Sequence, residues 1–260
     1  MNAPARRHRS WIGALALALP AFAVLIALGT WQLERKAWKE ALIARLTDRL
    51  AAPPAALPPP SAWSTLERNA NEYRKVKLDG EFDNADAALV YGAASALRPD
   101  VSGPGYWVFT PLRLAGGDTF VMVNRGFVPE AEKDAVSQGT GQLLGPVAIV
   151  GAMRWPEARH WFSPPDDPAH NLWFTRDPRA IAEAKGIHPV APFYVEQESP
   201  GPRGGLPRPG RIAVRLRNAH LQYALTWYGL ALVLVVVVVA RSLTPDRRAE
   251  AKPRPSSSHS

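Results

Sequence analysis

The chain contains no cysteine. No disulfide can staple it, no C-x-x-C-H segment can hold haem covalently, and no thiolate is available for copper. Methionine is nearly as scarce, with Met122 and Met153 alone beyond the start, which excludes a methionine-rich copper carrier. Formal charge is missing from two long windows. Trp11 to Leu33 and Asn218 to Ala240 hold no Asp, Glu, Lys or Arg. As helices each would be about 34 Å long, enough to cross a hydrocarbon core of roughly 30 Å with some tilt. A nucleophile elbow, a P-loop, H-E-x-x-H and a dinucleotide fingerprint are absent as well. The sequence therefore offers no catalytic constellation, and a non-enzyme is expected.

The chain is basic, with a net charge of +8 and a pI near 10.0, and most of that charge sits at its ends. Arg6, Arg7 and Arg9 precede the first apolar window. Arg241, Arg247, Arg248, Lys252 and Arg254 follow the second, against only Asp246 and Glu250. Charge confined to short tails, without interleaved aromatics, does not describe a nucleic-acid surface. It does place both termini in the cytoplasm by the positive-inside rule. Ala21-Phe22-Ala23 resembles a signal cleavage site, but the apolar run continues to Leu33, longer than an ordinary signal core, so an uncleaved anchor is expected. The second window includes a run of valines from Val235 to Val239; in lipid only a helix satisfies such a backbone by itself.

The expected layout is a cytoplasmic basic tail (1–10), a transmembrane helix (11–33), a juxtamembrane helix (34–52), an extracytoplasmic β-rich domain (53–217), a second transmembrane helix (218–240) and a disordered cytoplasmic tail (241–260). The juxtamembrane helix follows from Trp31, Trp38, Leu42, Leu46 and Leu50 lying close to one face, and Pro53-Pro54 stops it. Strand-forming runs occupy Tyr73 to Phe82, Val147 to Trp155 and Pro192 to Glu198. A hairpin is predicted from Tyr106 to Phe127 around Ala115-Gly116-Gly117-Asp118. One clear helix has Asp177 as its cap, Pro178 at its first position and Gly186 past its end. The fold class is thus a membrane protein of α+β type, its domain a small sheet or partly closed barrel with one packing helix. Exposed sheet edges and the proline-rich stretch from Pro200 to Gly210 would suit docking of partners.

His160, His170 and His188 are dispersed without metal-ligand spacing and are expected as surface or loop residues. Asp166-Asp167, between prolines, is predicted to form a turn. Arg125, at a strand end, is expected in a salt bridge or clamping backbone. His220 differs, because it heads a membrane span, where ionisable groups are costly. At helical spacing it shares a face with Tyr223, Ala224 and Trp227, with Gln222 and Thr226 nearby, and the first span ends at the same depth in Thr30-Trp31-Gln32. Two readings stand at this point. One is an interfacial histidine in a Trp/Tyr belt with nothing bound. The other is an axial ligand for haem iron, flanked by aromatics suited to a flat macrocycle.

Four segments carry a resemblance. They are Leu28-Gly29-Thr30-Trp31-Gln32-Leu33-Glu34-Arg35-Lys36-Ala37-Trp38-Lys39, Val123-Asn124-Arg125-Gly126-Phe127-Val128-Pro129, Pro192-Phe193-Tyr194-Val195 and Asn218-Ala219-His220-Leu221-Gln222-Tyr223-Ala224-Leu225-Thr226-Trp227-Tyr228. In their order, and between two spans, they resemble the surfeit-locus protein 1 family of cytochrome c oxidase assembly factors over about residues 10 to 242. Phe127 stands where many relatives have Trp, a packing swap. The resemblance implies a bacterial inner-membrane protein that binds haem a transiently and assists its insertion into the oxidase catalytic subunit. His220 would be the iron ligand, and Tyr223, Trp227, Gln222, Trp31 and Gln32 would line the site. Haem a synthase is a second implied partner, and the lipid bilayer the environment. A membrane scaffold that joins oxidase subunit and haem synthase without binding haem is the alternative.

Overall fold

The computed structural model describes residues 4–92, 98, 100–159, 161–202, 205–212 and 218–243; His160 and the tail after Leu243 lie outside them. In chain order the elements are α1 (Pro4–Ala51), β1 (Ala55–Ala56), α2 (Arg68–Asn71), β2 (Lys75–Phe82), β3 (Ala88–Gly92), β4 (Gly105–Leu114), β5 (Phe120–Pro129), α3 (Lys133–Ser137), β6 (Pro146–Arg154), β7 (Leu172–Trp173), α4 (Pro178–Ala184), β8 (Val190–Ser199) and α5 (His220–Leu243). They form two compact units, one of residues 1–41 with 217–260 and one of residues 42–216.

In the smaller unit α1 and α5 run antiparallel. Leu15 to Ala21 lie beside Leu234 to Arg241 at one end, and Gln32 meets His220 at the other. Leucines and valines such as Leu17, Val24, Leu225, Leu232 and Val236 are exposed around both helices. A helix buried in a soluble core would hide them; a lipid-facing helix does not. Two such long apolar helices make this a membrane protein. Among the described residues, those buried in the unit are small: Gly29 on α1, and Ala224 and Ala231, one heptad apart on α5. Between membrane helices, small side chains allow the close approach that dispersion requires. Gly29 is the tightest point, since a Cβ there would come within 2.6 Å of the Tyr228 ring.

In the larger unit β2, β6, β8, β5 and β4 are hydrogen-bonded in that order, and β4 pairs back onto β2, closing a five-stranded barrel. β1 extends the wall from β2; β3 and then β7 extend it from β4. Closure turns on Gly80, which faces Val147 of β6 and Leu114 of β4. A side chain at Gly80 would collide with the Arg113 carbonyl oxygen. β2 alternates as a strand with one wet face should, with Val76, Leu78 and Phe82 inside and Lys77, Asp79 and Glu81 outside. Its inward residues join Leu112, Val121, Val123, Ile149, Met153, Phe193 and Val195, one or more from each closing strand, to fill the barrel. Each large apolar side chain so buried contributes roughly 1.5–3 kcal/mol.

β4, β5 and β8 are buried on both faces. Their outer residues, among them Trp107, Phe109, Met122, Phe127 and Tyr194, form a second cluster with Trp173 of β7 and Ile181 of α4. The predicted hairpin forms, with Arg113 opposite Phe120. The predicted cap also forms: the Asp177 carboxylate accepts from the amides of Arg179 at 2.9 Å and Ala180 at 3.3 Å. The expected sheet edges are present but short. Closure pairs the five barrel strands, and the wall ends in β1 and β7, two residues each, with β7 covering only Leu89 and Val90 of β3.

Candidate functional site

α5 begins at His220, and α1 presents Gln32 to it. His220 Nδ1 lies 2.8 Å from Gln32 Oε1. An amide oxygen accepts, so the contact calls for a proton on Nδ1; in the neutral ring that leaves the lone pair on Nε2. A second polar tie accompanies it. The Thr30 hydroxyl donates to the Ile26 carbonyl at 3.0 Å, which makes Tyr228, 3.2 Å away, the donor to Thr30 Oγ1. Polar pairs of this kind hold membrane helices in register, each worth on the order of 1 kcal/mol.

Gln32, Lys39, Ala219, His220 and Tyr223 line one open cavity of about 400 Å³. Of the six residues predicted for the site, His220, Gln32 and Tyr223 are therefore brought together, with Tyr223 56% exposed. Gln222 faces a different depression, with Asn218, Leu221, Leu225 and Thr226. Trp31 is 53% exposed and Trp227 half-buried, and neither lines the His220 cavity. Lys39 escaped the sequence reading although its spacing announces it. It lies two turns beyond Gln32 and so returns to the same helical face.

The larger unit holds its charges differently. Arg154, at the end of β6, donates to Glu72 at 2.9 Å and to Glu196 of β8 at 3.3 Å, and approaches Glu157 at 3.5 Å. Burial opposes its charge, but the surrounding anions prevail and hold its pKa above the ordinary arginine value. Burial also pushes the Tyr194 hydroxyl upward, so it stays protonated. Asp166 and Asp167 act as expected of turn residues. Asp166 accepts from the Phe174 amide and pairs with Arg159, and Asp167 accepts from the His170 amide and meets its ring at 2.7 Å. No group of three or more His, Cys, Asp or Glu among the described residues is placed to hold a metal ion.

Two apolar helices that bring a histidine and an amide together, with a closed barrel domain between them in sequence, define a membrane protein with a polar site at a helix end. The chain belongs to the SURF1 family, which matches residues 19–232, a family of cytochrome c oxidase assembly factors. It is 36% identical to Surfeit locus protein 1 of Rattus norvegicus over 217 residues, covering 80% of this chain and 69% of the rat protein. It is 34% identical to Surfeit locus protein 1 of Homo sapiens over 214 residues, 78% and 69% of the two chains. A SURF1-like protein of Monosiga brevicollis is 35% identical over 222 residues, 83% and 82% of the two chains.

Proposed function

We propose that this protein carries haem a during cytochrome c oxidase assembly, holding the iron through His220 Nε2 and releasing the cofactor to the oxidase catalytic subunit. The observation that carries this reading is the His220–Gln32 pair. A histidine that ligates a metal usually donates its other ring proton to an acceptor, which fixes tautomer and ring orientation; Gln32 supplies that acceptor. The donor set suits the cargo. Imidazole meets the iron, the Tyr223 ring offers an aromatic wall and Lys39 a cation for a propionate. The site is open on one side, as release requires. Bound haem would supply an iron centre for one imidazole, and its chemistry belongs to the oxidase.

The protein is then a chaperone rather than an enzyme, seated in a bacterial inner membrane. Residues 1–10 and 241–260 lie in the cytoplasm and residues 53–217 outside it, a layout supported by the basic tails. Haem a synthase is the natural donor and a second partner. Purification from a host that makes haem a tests the reading. Co-purified haem a with a low-spin spectrum, lost in His220→Ala, is the expected result. A colourless wild-type protein that still captures the oxidase subunit would overturn it in favour of a scaffold.

A further inference from the structure

Arg125 in the barrel wall is 4% exposed and has no carboxylate within ion-pair distance among the described residues. The other deeply buried arginines have carboxylate partners: Arg98 meets Asp100 at 2.7 Å, and Arg154 meets Glu72 and Glu196. Arg125 instead spends its guanidinium on neutral acceptors, Asn84 Oδ1 at 3.2 Å and the Gly141 carbonyl at 2.5 Å, and lies over the Phe82 ring at 4.8 Å. Its Nε is buried and without a partner. A buried cation without an anion is costly, and proteins pair such charges. Burial, unopposed by any neighbouring anion, lowers its pKa to about 10. A cavity of about 170 Å³ opens beside it, with Asn84, Thr140 and Gln142 on one part of its lining and Leu89 and Val108 on another.

We propose that this cavity binds a single carboxylate carried on a short hydrocarbon stem, with Arg125 as its counter-ion. The volume supports that size. At roughly 30 Å³ per water-sized group it admits five or six heavy atoms, and it is below the roughly 300–1,000 Å³ of sites for larger ligands. Guanidinium recognises the planar carboxylate, the Thr140 hydroxyl and Gln142 amide supply further donors, and the aliphatic residues meet the stem. The carboxylate comes from an acidic residue of a partner protein or from a free small acid. The site belongs to the larger unit, shares no lining residue with the His220 cavity and does not depend on the haem reading.

The test follows the thermal unfolding midpoint of the full-length protein in detergent, with sodium acetate or acetyl-glutamate amide titrated against sodium chloride at equal ionic strength. Ligand that binds only the folded state raises the midpoint in proportion to RT ln(1 + [L]/Kd). The carboxylates are expected to raise it beyond chloride in the wild type, and this excess to vanish in Arg125→Met. If that variant does not fold, Gln142→Leu, which leaves the Arg125 contacts in place, should weaken the response at least threefold. A tenfold tighter response to acetyl-glutamate amide than to acetate assigns the site to a partner residue, and equal responses assign it to a free acid; both uphold it. Identical responses to acetate, acetyl-glutamate amide and chloride in the wild type would overturn it.

Discussion

Replacing Arg154 with methionine would leave three carboxylates, those of Glu72, Glu157 and Glu196, around an apolar side chain. Glu196 is the decisive one, since its side chain is 2% exposed and no solvent can take over its charge. Glu72, at 12%, retains Arg68 at 3.1 Å. Breaking a buried pair by removing one partner costs about 3–5 kcal/mol, because an uncompensated charge remains. In a domain of this size each kcal/mol moves the melting midpoint by about 2–4 °C, so the midpoint should fall by roughly 6–20 °C. Tryptophan fluorescence of the full-length protein in detergent reads it, because Trp107, Trp155 and Trp173 all sit in or against the buried clusters. The exposed pair Arg113–Glu81 serves as the control, with both side chains about half exposed at 3.5 Å. Arg113→Met should cost no more than about 1 kcal/mol. Adding Glu196→Gln to Arg154→Met should recover part of the loss. The reasoning is refuted if Arg154→Met melts within the range of Arg113→Met, or if the double variant is no more stable than the single one.

Three other perturbations probe separate parts of the molecule. Gly29→Leu should drive a side chain into the Tyr228 ring and separate α1 from α5; a lower cross-linking yield between cysteines introduced on the two helices, in a chain with none of its own, would register it. Gln32→Leu should weaken haem a retention about 10–100-fold in a spectral titration, with Gln32→Glu, which keeps the acceptor, restoring most of it. Arg98 donates to both Asp100 oxygens, at 2.9 and 2.7 Å, and holds that carboxyl below its ordinary value of 3.8. Folding thus favours the ionised form, and the resulting stability is complete above the unfolded pKa and disappears as pH falls through the lower folded one. Unfolding measured from about pH 5 down to about pH 2 should show a flatter acid limb in Asp100→Asn.

The sequence was most legible where one residue's chemistry decides a local shape. Asp177-Pro178 announced a capped helix, Ala115-Gly116-Gly117-Asp118 a hairpin, and the charge-free windows two long helices. β2 could be read from its alternation because only one of its faces is dry. β4, β5 and β8 are dry on both faces, so their apolar runs mark them as strands but do not tell which neighbours cover them. A partly closed barrel was one of the two sheets expected from the strand pattern; its full closure was not legible, since it depends on Gly80 facing two strands distant in sequence. β3 was missed because Ala88–Gly92 is short, and β7 because two residues carry no period. The His220–Gln32 contact could be anticipated as two polar helix ends at one depth. Lys39 was overlooked because it lies beyond the apolar window, where a charged helix looks like a solvated extension. Arg125 was legible as a backbone clamp, and its lack of an anion was not, since no linear pattern records a missing counter-ion.

The closed barrel also dictates how this domain can meet other proteins. A protein with an open sheet can recruit partners generically, by lending its edge to any extended peptide, and runs the same risk with every unfolded neighbour. Here the five barrel strands spend most of their amides and carbonyls on one another, and the edges that remain among the described residues are short: β1, β7 and the part of β3 that β7 does not cover. Recognition therefore falls to side chains and loops, which discriminate by shape and charge rather than by main-chain templating. For a member of a family of oxidase assembly factors, that is a form of immunity: little edge is offered to a partly folded neighbour that could zip onto it.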